Sequence, residues 1–96
     1  MILHAMLRKH RKHFKMLPPL TLAFAGLGPS EWGLCVPGPR YFIFISLQAP
    51  ESEWEAILLH ELCHAEVMLQ DEHYEHGEPW LKAIARVAKA TGVNVT

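Results

Sequence analysis

His60-Glu61-Leu62-Cys63-His64, set in an apolar run that begins at Ile57-Leu58-Leu59, constrains the fold more than any other feature of the chain. On a helix, four residues advance roughly 6 Å and turn about 40° past a full revolution, so both imidazoles leave one face toward a common point. Two such nitrogens at roughly 2.0–2.1 Å supply half of a tetrahedral zinc sphere. Glu61 follows the first histidine by one residue, which swings it to the side of the metal, where it reaches a bound water without coordinating. That is the position of a general base.

Seven histidines in 96 residues make a chance match to this pattern a roughly 5% event. The setting makes it rarer, because a buried helix seldom carries histidines that no metal or hydrogen-bond network satisfies. A catalytic zinc keeps three protein ligands and one open position. His73 and His76 compete for the third place, and His76 is favoured because it stands beside Gly77, where the backbone can approach closely, and directly before the last helix.

Ninety-six residues make one domain, 1–96, near the lower end of what folds alone, with about 65% of the unfolded surface buried. A bound metal adds stability to so small a fold. Cys35 and Cys63 form no CxxC, which excludes a zinc ribbon, and they read as small buried apolar residues in an intracellular, reducing setting. No segment is apolar enough to span a membrane or to serve as a secretory signal. The net charge of −1 hides a dipole: residues 51–78 hold nine of the ten acids and no Lys or Arg, while residues 1–17 carry five bases and no acid. The acidic half surrounds the proposed metal.

Helical spacing of Leu3, Met6, Leu7, Phe14 and Leu17 predicts a first helix over 3–16, ended by Pro18-Pro19. Strands follow at Leu20–Ala25, Trp32–Val36 and Arg40–Ser46, the last apolar on both faces and therefore expected to be the most buried. Ser52 and Glu55 form a capping box for a second helix over 53–69, with the histidines at the margin of its buried face. Pro79 opens a last helix that stops at Gly92. The fold class is α+β, a compact zincin-like domain in the order α-β-β-β-α-α, with a small antiparallel or mixed sheet packed on the active-site helix.

Leu58 through Ala65, followed by His76-Gly77-Glu78-Pro79-Trp80-Leu81-Lys82, resembles the SprT-like metalloprotease domain, the Spartan proteases included. The resemblance covers residues 54–90 well and the α-β-β-β portion in outline. It implies that His60, His64 and His76 bind Zn2+, that Glu61 is the catalytic base, and that the reaction is peptide-bond hydrolysis in protein substrates, DNA-associated proteins among them. The chain departs from larger members in lacking a cysteine zinc ribbon, which weakens the case for DNA-dependent regulation. The alternative is a non-catalytic, zinc-stabilised module that binds DNA or protein, for which a carboxylate at Glu61 has no use.

Other residues have second roles or plain ones. Arg8, Arg11, Lys12 and Lys15 form a basic row suited to nucleic acid, and equally the solvated face of a packed helix. Lys82, Arg86 and Lys89 offer a second basic face. Glu66, Asp71, Glu72 and Glu75 read as solvent-facing charges, with a second role orienting imidazoles. Tyr74 and His73 are candidate oxyanion donors by proximity. Trp32, Trp54 and Trp80 read as core, and Trp80 also as a wall of the cleft.

Overall fold

A computed structural model describes residues 2–71 and 77–95, with only the backbone considered at 70 and 71. The elements are α1 (Ile2–His10), a 3-10 turn at Arg11–His13, β1 (Leu20–Ala25), β2 (Gly33–Val36), β3 (Tyr41–Ser46), a 3-10 turn at Glu51–Glu53, α2 (Trp54–Asp71) and α3 (Glu78–Thr91). The class is α+β and the order is the expected one.

Helix α2 is the centre of the packing. Leu58, Leu59, Leu62, Cys63 and Ala65 are all fully buried, which an amphipathic surface helix cannot achieve. It lies against the inner face of the sheet, and α1 and α3 pack on it from the other sides. Leu3 and Leu7 of α1, Leu22, Ile43 and Ile45 of the sheet, and Ala83, Ile84 and Val87 of α3 close the core around it.

The sheet is mixed, in the order β1-β3-β2. β1 runs parallel to β3, with Leu20 opposite Tyr41 and Ala25 opposite Ser46, and β2 runs antiparallel to β3, with Gly33 opposite Ile45 and Val36 opposite Phe42. The central place of β3 agrees with its composition, but its burial is one-sided. Tyr41, Ile43 and Ile45 face the core, whereas Phe42 is 38% exposed and its ring stacks on that of Phe44 on the outer face. Strand side chains alternate between faces, and no helix among the described residues covers that side.

The first helix is shorter than its periodicity predicts. After His10 the chain tightens into the 3-10 turn, and Phe14 is already extended, with φ −114° and ψ 136°. The cause lies elsewhere in the chain: the Lys15 amide donates to Glu66 Oε2 at 2.7 Å, and a buried carboxylate is a stronger acceptor than the carbonyl the helix would offer. The capping box is also absent. Ser52 lies inside the 3-10 turn, whose N-cap is Pro50, without a side-chain cap, and Glu55 turns to His10 and Lys9 instead.

The last helix forms as its punctuation predicts. Proline occupies its first turn, and Gly92 closes it at φ 75°, where a side chain would be strained. Beyond Gly92 the chain folds back on the body, and Val95 is 1% exposed. No helix among the described residues is long and apolar enough to cross a membrane.

Candidate active site

The two histidines of the pentad leave α2 one turn apart and meet at the edge of a cleft of about 660 Å³. His60 Nε2 and His64 Nε2 stand 3.3 Å apart. Two nitrogens bound tetrahedrally to one zinc at roughly 2.0–2.1 Å lie about 3.3–3.4 Å from each other, so the pair already has the separation of a chelating edge. The donor chemistry fits as well. His60 Nδ1 is 3.0 Å from the Val95 carbonyl, an acceptor only, so Nδ1 carries the proton and Nε2 keeps its lone pair for a ligand.

Trp80, at the start of α3, holds both rings. Its ring lies 5.2 Å from that of His60, edge-on, and 5.2 Å from that of His64, nearly parallel. With Trp80 only 5% exposed, the imidazoles have a rigid apolar backing that limits their rotation. Trp80 is thus the core residue it was read as, and it backs the histidines from behind while the cleft is lined by other side chains. Trp54 is half-buried against Phe24 and donates its indole N–H to the Ala49 carbonyl. Trp32 departs from expectation: it is 45% exposed and lines the cleft rather than the core.

Glu61 sits beside this pair, with Oε2 4.0 Å from His60 Nε2. Burial pushes its carboxyl up to about 7, and the Glu31 carboxylate, also on the cleft wall, adds to the rise. A group that exchanges its proton near neutrality is suited to moving one.

Of the predicted ligands the structure brings His60 and His64 together. His76, the favoured third ligand, lies outside the described residues, as do His73 and Tyr74. Among the described residues no three His, Cys, Asp or Glu side chains gather to hold a metal. Both thiols are buried and burial pushes each up to about 12, so they are apolar filling. Glu66, read as a solvent-facing charge, is instead 2% exposed and accepts from Arg86 Nη2 at 2.6 Å, which removes Arg86 from the proposed basic face of α3. Lys82 pairs with Glu78 at 3.1 Å.

Two participants escape a reading by motif. The Val95 carbonyl leaves no mark in the sequence, because a backbone acceptor has no residue type. Gly33 does leave one: a glycine inside a strand marks a bulge or a close approach, and Gly33 lines the cleft opposite Glu61.

The SprT-like family matches the chain over residues 45–96, which takes in the last two residues of β3, all of α2 and α3, and both histidines of the pentad. The comparison with curated proteins gives no significant match.

Proposed function

The chain belongs to the SprT-like family, a metallopeptidase-like domain, and from this premise we propose that it is a zinc-dependent metallopeptidase that hydrolyses peptide bonds in protein substrates. The observation that carries the reading is the pair of Nε2 atoms 3.3 Å apart with the Glu61 carboxylate alongside. His60 and His64, with His76 as third ligand, hold the metal in this reading. The chemistry zinc supplies when bound is Lewis-acid polarisation of the scissile carbonyl and of the attacking water.

The chain's own residues do the rest. Glu61 takes the proton of the attacking water and returns it to the leaving amine. Val95, through its carbonyl, and Trp80, through its ring, keep the imidazoles oriented. Among the described residues β2 pairs on one side only, with β3, and its other edge, beside the cleft, is where an extended peptide adds as a further strand in this reading. Arg8, Arg11 and Lys12, all exposed on α1 and the turn after it, support a contact to nucleic acid by substrates or activators.

The test is zinc analysis joined to proteolysis of an unstructured protein such as casein, with and without single-stranded or duplex DNA. Wild type is expected to hold one zinc and to cleave, and His60→Ala, His64→Ala and His76→Ala to lose the metal. Glu61→Gln should keep zinc and fold while losing on the order of 10²–10⁴ in rate. A wild type that holds zinc yet cleaves nothing, or a fully active Glu61→Gln, replaces the peptidase with a zinc-stabilised binding module.

A further inference from the structure

Gly33 is the only residue of β2 without a side chain, and nothing about its own backbone requires that. The positive φ that favours glycine occurs, among the described residues, at Gly92 and not at Gly33. The reason is distance. A Cβ built on Gly33 would stand 2.7 Å from Ile57 Cγ2, 2.8 Å from Glu61 Oε2 and 3.1 Å from Glu61 Cγ. Ile57 and Glu61 are one turn apart on α2, so the strand backbone rests directly on the helix face that carries the general base. Cys35, two residues on and pointing the same way, shows what this face otherwise holds: a buried side chain.

The crowded oxygen is a specific one. Glu61 Oε2, which the added methyl would strike, is also the atom 4.0 Å from His60 Nε2. The bare backbone of Gly33 therefore forms one wall of the slot that holds this oxygen toward the histidines. Ile57 is β-branched and buried, so it yields little. The carboxylate is the free end of an unbranched chain and yields first.

We infer that Gly33 is a positioning residue: the missing side chain on the edge strand sets where the Glu61 carboxylate stands relative to the histidine pair. The inference rests on the peptidase reading for its consequence in turnover, but its structural half is independent of that reading. Substrate pairing along β2 uses backbone groups, which an alanine leaves in place, so Gly33→Ala acts on the chemical step and not on substrate binding.

The experiment has two arms. In turnover by the zinc-loaded protein, Gly33→Ala should lower kcat on the order of 10²-fold, the usual effect of misplacing a catalytic group by about 1 Å. KM and zinc content should stay near wild type, and no further loss should follow when the change is made on Glu61→Gln. In thermal unfolding, Gly33→Ala should lower the midpoint on the order of 5 °C, and by a measurably smaller amount on Glu61→Ala, which removes both Glu61 atoms the methyl meets and leaves the Ile57 contact. Should Gly33→Ala fail to fold, Ile57→Ala supplies the background in which the helix clash is gone and the Glu61 contact remains. Full kcat in Gly33→Ala, or an equal loss of midpoint in the two backgrounds, overturns the inference. A wild type inactive on every substrate, with the unfolding coupling present, sinks the peptidase reading and leaves Gly33 as the wall of the Glu61 slot.

Discussion

Two carboxylates five residues apart on α2 are buried to a similar degree and are handled in opposite ways. Glu66 is committed on both oxygens, Oε1 to Arg86 Nη2 at 2.6 Å and Oε2 to the Lys15 amide at 2.7 Å. Glu61 faces His60 at 4.0 Å, beyond hydrogen-bond distance, and its carboxyl is raised by burial. The first is a tie between segments, and the second remains available for proton transfer. Breaking a fully buried pair by removing one partner costs about 3–5 kcal/mol. Arg86 is 36% exposed in its side chain, so Arg86→Met should cost less, about 2 kcal/mol. Adding Glu66→Gln should recover part of it, because the uncompensated charge goes. Urea unfolding measures both, and a change within about 0.5 kcal/mol in Arg86→Met would show that the pair contributes nothing to stability.

Helix α1 is held to α2 by a polar contact as well as by Leu3 and Leu7. His10, 4% exposed, meets Glu55 Oε2 through Nε2 at 2.7 Å, and Lys9 reaches the same oxygen at 3.2 Å. The hydrogen bond from His10, with Lys9 adding to it, holds the Glu55 carboxyl below its ordinary value of 4.5. The folded protein thus releases this proton more readily than the unfolded chain. The contribution to stability is whole above about pH 4.5 and is lost as pH falls through the folded pKa. Glu55→Gln cannot titrate, so the difference in urea midpoint between wild type and this variant should be greatest near neutrality and should close below about pH 4.5. A difference that stays constant down to about pH 3 would mean that Glu55 does not titrate as a partner of His10. The same pairing turns the Glu55 side chain toward α1, and Ser52 lies inside the 3-10 turn and not at an N-cap, so no capping box forms at the start of α2.

The candidate metal site joins parts of the chain that only the folded molecule brings together. His60 and His64 come from α2, Trp80 from α3 and the orienting carbonyl from Val95. A ligand that binds only the folded state stabilises it by mass action, about 2.7 kcal/mol at a hundredfold excess over Kd. For a domain of this size that is on the order of 10 °C in Tm. Zinc should therefore raise the melting temperature of the metal-stripped protein and a chelator should lower that of the loaded one, with both responses lost in His60→Ala. A wild-type Tm indifferent to zinc and to chelator would contradict a shared ion at the histidine pair.

How much of this was legible along the chain follows from how far apart the partners are. The helix pentad, β1 at Leu20–Ala25, and α3 between Pro79 and Gly92 rest on neighbours within a turn or a strand, so residue spacing alone dictated them. The histidine pair belongs here too, since an i, i+4 relation on a helix is settled by helical geometry. Other features depend on contacts across the fold. The break after His10 answers a carboxylate 51 residues from Lys15, the tautomer of His60 a carbonyl 35 residues away, and the burial of Glu66 an arginine 20 residues away. One-sided burial of β3 could not be read from Tyr41-Phe42-Ile43-Phe44-Ile45, because apolar residues on both faces do not say which face a helix covers. Gly33, inside the strand read at Trp32–Val36, marks a bulge or a close approach, but only the packing of α2 shows that what approaches is Ile57 and Glu61. Spacing along a chain determines what a segment can present. Packing of distant segments determines what it meets, and for a buried carboxylate or a tightly seated glycine that meeting sets the role.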